Sequence, residues 1–407
     1  MRLSTLNIYK SATNQLGTLQ SALARTQMQL STQKRMLSPA DDPVAAARAL
    51  EVSQSQEMNL QFATNRSNAR SSLSLVEDSL QNAGDLLQDI QQLAVNAGNA
   101  TMLPSDREAL ATELEGRLAD LLGVANSTDG SGGYLFSGYM ATTQPFSQTP
   151  TGAQYNGDQG QRNLQVGASR KIPLSASGSA IFEGGLTGNG SFQTQAAGAN
   201  TGGGIISSGS VTDRAALTGN DYALSFTVAG TPAVTTYSVN NMSSAPPTPV
   251  LVNQPYEPGK QIVFDGLSFD IKGAPANGDS FTIEPSERQS VFTTVTDMIA
   301  ALRAPADGTG GKAALTNNLN SALDNLKSAH DNVLTVQASV GAHMKELDYL
   351  DSAGDDLDIH YASTLSDLQD LDAVKAVSEF EQQKLTLQAA QLSFKTMSGL
   401  SLFNYIG

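Results

Sequence analysis

Few residues of this 407-residue chain have the types and spacing that chemistry needs. His330, His343 and His360 are its three histidines, 13 and 17 positions apart in sequence that reads as helix. A metal or catalytic pair on a helix requires partners one turn apart, as in His-Glu-x-x-His, and none is present. These spacings suit solvated or packed histidines. Asp355-Asp356-Leu357-Asp358 has the acidity for calcium but lacks the glycine and the closing bidentate glutamate of a calcium loop, so it reads as a solvated break between helices. Gly308-Thr309-Gly310-Gly311-Lys312 has the outline of a phosphate loop. It fails where Ala313 stands in place of the magnesium-holding hydroxyl and Ala306 in place of the first glycine. No Gly-x-Ser-x-Gly elbow occurs. The reading is that the chain is not an enzyme and has no catalytic, cofactor-binding or metal residues.

Composition narrows the remaining classes. The chain has no Cys and a formal net charge of −15. Disulfides, thiolate nucleophiles and cysteine-held zinc are therefore excluded. An acidic chain is poorly suited to neutralising phosphates, which argues against nucleic acid. No apolar run approaches the ~20 residues of a membrane span, and the N-terminal segment lacks the apolar core of a Sec-type signal.

With chemistry set aside, the long elements carry the information. From Leu3 to Leu37 an apolar seam recurs at Tyr9, Leu16, Leu23, Leu30 and Leu37, with Leu6 and Leu19 close to the same face. Seven-residue spacing on a helix with Ser, Thr, Gln and Asn elsewhere is the pattern of a helix that needs a partner. The charges of this segment are all basic. Ser38-Pro39-Ala40-Asp41-Asp42-Pro43 ends it, and Asp42-Pro43 reads as an N-cap followed by proline at the first helical position. A second helix runs from about Val44 to Ala97, and Arg66 falls where its seam projects. At 1.5 Å per residue such a helix is about 75 Å long, which suits a rod. A third helix is expected from Ser105, capped with Glu108.

From Thr149 to Pro285 helical periodicity gives way to alternation and turn residues. Ile262 to Ile271 reads as a hairpin about Asp265-Gly266. Tyr222 to Val228 and Phe281 to Ile283 read as further strands. Helix resumes at Ser286, capped with Gln289, and again near Ala313. The seam then passes Leu365, Leu368, Leu371, Val374, Val377, Phe380, Leu387, Phe394 and Met397. Acids near it, Asp367 to Glu381, face a basic first segment and would help set register. The expected fold is mainly α with an inserted all-β domain, its N- and C-terminal segments forming a long antiparallel helical rod or coiled coil. The expected domains are 1–37 with 360–407, 38–148 with 286–359, and the β insert 149–285. The seams at both ends are candidate assembly surfaces.

Gln29 to Leu50, containing Ser38, Pro39, Asp41, Asp42 and Pro43, resembles the corresponding segment of the flagellin superfamily. Gln33 stands where many of its members have Gly. Gly133-Tyr134-Leu135-Phe136-Ser137-Gly138 is similar to a second segment found in that superfamily, and Leu385 to Gly407 resembles its C-terminal helix. The Ser-Pro-x-Asp-Asp-Pro-Val form is similar to the hook–filament junction branch. The resemblance covers 1–145 and 288–407 but not the insert.

The resemblance implies a structural protein of the bacterial flagellum, secreted unfolded through the flagellar type III export apparatus with an export chaperone. Its terminal segments would order on assembly. It would self-associate into a ring, contacting the hook-side junction protein (hook-associated protein 1) and flagellin. The other readings are flagellin itself, or a secreted coiled-coil stalk presenting a ligand-binding β domain.

Overall fold

The structure, a computed structural model, describes residues 5–99 and 102–399. Leu3 and the tail from Leu400 lie outside the described residues, as does the side chain of Leu6. The chain divides into two compact units, Met1–Thr64 with Tyr349–Gly407, and Asn65–Asp348. Helices α1 (Thr5–Thr32), α2 (Pro43–Ala97) and α3 (Pro104–Ala125) come first. Strands β1 (Phe146–Thr149), β2 (Gly152–Tyr155), β3 (Asn163–Gln165) and β4 (Lys171–Pro173) precede a short α4 (Gly178–Phe182). Then follow β5 (Phe192–Ala196), β6 (Ile205–Ile206), β7 (Ser210–Val211), β8 (Tyr222–Ala229) and β9 (Val234–Asn241). The insert ends with β10 (Thr248–Pro255), β11 (Gln261–Phe264), β12 (Leu267–Lys272) and β13 (Ser280–Pro285). Helices α5 (Val291–Arg303), α6 (Gly308–Gln369) and α7 (Ala373–Gly399) complete the chain.

Within Asn65–Asp348, the α2 seam Leu73, Val76, Leu80, Ala83, Leu87 and Ile90 is wholly buried. Side-chain contacts from α2 to α6 run in opposite directions along the two helices: Arg70 to Asp348, Gln81 to Gln337, Gln88 to His330. Helices α3 and α5 pack together, and Arg303 forks onto Glu108 and Glu115. Phe136, Phe146, Phe182 and Phe292 form an aromatic core with ring centres 5.0–5.8 Å apart. The Tyr134 to Gly138 segment is built into that core. Phe136 is fully buried, and its carbonyl accepts from Gly178 N and from the Tyr155 hydroxyl. Leu135 is buried, Tyr134 pairs by one bridge with Thr128, and Gly138 takes φ +71° against Asp158.

After the two-stranded β1–β2 and β3–β4 hairpins, the insert from Phe192 to Pro285 forms two larger sheets. One has the order β10-β9-β8-β13-β5; in the other β12 is flanked by β11 and by β6 and β7. Phe226, Phe281 and Ile283 from the first share one core with Phe264, Phe269 and Ile271 from the second. Alternation along each strand thus buries one face of each sheet. At the hairpin Asp265 and Gly266 both take positive φ, 44° and 78°, as a type I′ turn requires.

Several local expectations are corrected. Helix α3 starts at Pro104, and its Asp106 carboxylate, rather than Glu108, accepts Leu103 N–H. Ser286 caps nothing: its hydroxyl donates to Thr187 O, and Ser290 precedes α5. Tyr134 to Phe136 is a turn-bound anchor instead of a strand. The glycine run 308–311 is the opening turn of α6, where a Cβ on Gly310 would strike the Thr201 carbonyl at 2.6 Å. The acidic run Asp355 to Asp358 does not interrupt α6, which continues to Gln369. Arg66 is 3 % exposed and donates to Val166 O, so it ties the β3–β4 hairpin to α2.

Candidate assembly surface

In the unit Met1–Thr64 with Tyr349–Gly407, α1 and α7 pack side by side. Tyr9 meets Phe394 with ring centres 5.0 Å apart, and Thr26 donates to Gln383 Oε1 at 3.0 Å. The two helices are therefore antiparallel. On α1, Leu16, Leu19, Leu23 and Leu30 are half-buried along the shared face, and Thr26 is buried. On α7 the shared face is Ala376, Phe380, Gln383, Leu387, Ala390 and Phe394, a three–four alternation that keeps one side of a helix in register. Ala376 is 4 % and Leu387 9 % exposed. Ala376, Gln383 and Ala390 were missed by sequence reasoning because alanine and glutamine carry little apolar signal, although their spacing was visible.

Val374, placed with the seam by sequence, sits on the opposite side. At 100° per residue Val374, Leu385 and Leu392 share one line about half a turn away from the buried face. They are 84 %, 65 % and 66 % exposed. Val377 and Met397 are also exposed, on the flanks. Helix α7 therefore carries apolar side chains on two opposed faces: one face is covered by α1, and on the other Val374, Leu385 and Leu392 are bare, with Glu381 and Gln388 between them. Leu365, Leu368 and Leu371 are half-buried near the end of α6, and Leu37 is half-buried in the turn after α1. Elsewhere in this unit Val44, Leu50, Tyr349 and Ile359 are each about 70 % exposed. Large apolar side chains exposed in this number are costly to a molecule that stays alone.

Among the described residues, two basic charges of the first segment, Arg25 and Arg35, meet carboxylates of the following turn. Arg25 pairs with Asp41 at 2.8 Å and Arg35 with Asp42 at 3.2 Å. Asp42 also accepts Ala45 N–H at 3.0 Å and so caps α2, with Pro43 at its first position. Pro39 and Leu37 line a shallow groove of about 310 Å³ with Ala46, Ala49 and Leu50.

Residues that could do chemistry are dispersed. His330 lies beside Gly84 and Gln88, His343 near Glu346, and His360 on the exposed course of α6. Among the described residues no three His, Asp or Glu side chains converge as metal ligands, and no helix is long and apolar enough to cross a membrane.

Comparison with known proteins places this architecture. Residues 3–141 match the bacterial flagellin N-terminal helical region, and residues 195–285 match the D2-like domain of flagellar hook-associated protein 1. The second match supplies relatives for the insert, which sequence resemblance had left without any. Flagellar hook-associated protein 3 of Escherichia coli strain K12 is 29 % identical over 404 residues, 99 % of each chain. The crystal structure of flagellar hook-associated protein 3 from Legionella pneumophila superposes with a TM-score of 0.74 at 33 % identity, covering 78 % of this chain and 98 % of that one. FlgL from Xanthomonas campestris gives 0.70 at 33 % identity, covering 77 % and 99 %. The chain belongs to the flagellin superfamily and, within it, to the flagellar hook-associated protein 3 family.

Proposed function

We propose that this chain is a structural subunit of the bacterial flagellum at the hook–filament junction, where it polymerises through α1 and α7. The observation that carries this reading is the second apolar stripe of α7. Large apolar side chains left bare on a helix already paired through its other face support a contact surface there. Here α1 covers one face, and Val374, Leu385 and Leu392 remain for a neighbour. The junction role comes from the relatives' names: hook-associated protein 3 in two of them, and the flagellar junction protein FlgL of Legionella pneumophila.

In this reading the subunits associate into a ring, with hook-associated protein 1 on the hook side and flagellin on the other. The chain reaches that place by export through the flagellar type III apparatus with a chaperone, and is secreted. Its work is mechanical and it is not an enzyme. The segments 1–37 with 360–407 form the assembly domain, 38–148 with 286–359 the helical rod domain, and 149–285 an inserted β domain.

A strain lacking this chain tests the reading. It should carry hooks without filaments and shed flagellin into the medium. Filaments of normal length on such cells would overturn it.

A further inference from the structure

Two arginines stand where α3 packs on α5, and their surroundings are opposite. Arg303 is exposed and forks onto Glu108 and Glu115. Arg107 is only 8 % exposed, yet among the described residues no carboxylate lies within 4.0 Å of it. Its guanidinium donates to the Ala304 carbonyl at 3.0 Å, its single hydrogen-bond partner among the described residues. A guanidinium carries five N–H donors, so most of them are spare. None of its nitrogens is sealed off without a partner, which leaves the spare donors facing open space. That space is a cavity of about 210 Å³ where the end of α2 and the starts of α3 and α6 converge. Buried cations are normally paired, because removal from water is costly and an opposite charge offsets the cost.

The rest of the lining defines the chemistry of the partner. Lys312 and Asp307 stand exposed at the rim, and neither forms an ion pair among the described residues. With Arg107 they leave the cavity one positive charge in excess. Met102, Leu315 and Leu319 give it an apolar wall. We propose that this cavity binds a short-chain monocarboxylate, its carboxylate on the Arg107 guanidinium and its hydrocarbon against Leu315 and Leu319. A planar carboxylate matches the guanidinium fork. Phosphate suits the site less well: it carries nearly two charges at pH 7, which Asp307 opposes, and has no hydrocarbon for the apolar wall. The cavity is smaller than the ~300 Å³ at which drug-sized ligand pockets begin, so only a short chain fits. A bound acid touches three helices and stabilises Asn65–Asp348 by mass action.

The test uses the full-length protein with isotope-labelled arginine. The Nε–H resonance of Arg107, assigned by its absence in Arg107→Lys, is followed as butyrate is added at constant ionic strength. It should shift saturably with an affinity on the order of 1 mM, about what so few atoms can supply. Butyramide, which has the same shape without the charge, should leave it in place, and phosphate should bind more weakly than butyrate. Asp307→Asn should tighten butyrate binding about two- to fivefold, and Lys312→Gln should weaken it by a similar factor. Both side chains are exposed, so neither change threatens the fold, and an Arg107 that serves only to hold Ala304 predicts no effect of either. The proposal is overturned if butyrate gives no saturable shift in the millimolar range, if butyramide or phosphate binds as well, or if the two rim variants fail to act in opposite directions. The result does not depend on whether the chain assembles.

Discussion

Thr26 on α1 donates its hydroxyl to Oε1 of Gln383 on α7 across 3.0 Å, in the middle of an otherwise apolar seam. Thr26 is 5 % exposed, so solvent cannot substitute readily for its partner. A lone polar pair inside a two-helix seam favours the register in which its members stand opposite each other, here in competition with the Ala22 carbonyl 3.1 Å from the same hydroxyl. The single variant Thr26→Val should cost about 1 kcal/mol in the unfolding of the α1–α7 pair, measured by urea titration of the helical signal. The double variant T26V/Q383L should recover the stability. It should also admit slipped pairings, seen as multiple products when cysteines placed on the two helices are cross-linked.

Gln33 has φ +56°, and its carbonyl accepts Leu371 N–H. Glycine takes that conformation without a Cβ penalty. Gln33→Gly should keep the bridge and stabilise the turn by about 0.5–1 kcal/mol. Slower amide exchange at Leu371 would register this; faster exchange would contradict it.

Gly266 closes the β11–β12 hairpin at φ +78°, and its carbonyl accepts Thr212 N–H at 2.8 Å. A Cβ there would run into the Asp213 carbonyl. Gly266→Ala should destabilise the insert by about 2 kcal/mol or more, since both backbone strain and a clash oppose it. The near-UV contribution of Tyr222, Tyr237 and Tyr256 in the insert should melt earlier while the far-UV signal of the long helices persists.

Burial raises the Asp324 carboxyl above its ordinary range, against the lowering effects of the Ser208 hydroxyl and Lys327. The folded protein then binds a proton more readily than the unfolded chain, so this group's contribution to stability falls as pH rises from the ordinary aspartate value through the raised one. Asp324→Asn should raise the pH 7 melting temperature of Asn65–Asp348 by about 1–3 °C and flatten its dependence on pH above 4. An unchanged pH profile would contradict this assignment.

Much of this architecture was legible because long helices and alternating strands repeat their signals many times. The helix from Val44 to Ala97, the Asp265-Gly266 hairpin and the Asp42-Pro43 cap all read directly. Errors fell where one residue type serves two purposes. Three acids, Asp355, Asp356 and Asp358, looked like a break, but they lie along the mostly exposed course of α6, where outward-facing side chains leave the backbone ladder intact. The true break follows Gln369, and Asp372 caps α7 by accepting Lys375 N–H at 3.1 Å. Ser286 and Ser290 look equally able to cap, and only the contact with Thr187 separates them. On α7, Val374 and Val377 outweighed Ala376 and Gln383 by hydropathy, so the buried and bare faces were merged into one. Arg66 interrupted an apolar pattern because its partner is a carbonyl 100 residues away, which no local window contains.

The bare face of α7 is the central claim, and electron microscopy of hooks tests it most directly. Hooks would be taken from cells whose only copy of this chain carries glutamine at Val374, Leu385 and Leu392. The purified variant should keep the Thr26–Gln383 and Tyr9–Phe394 contacts, because those lie on the opposite side of the helix. Its hooks should be bare of filament, with flagellin released into the medium. Filaments of ordinary length on those hooks would contradict the account.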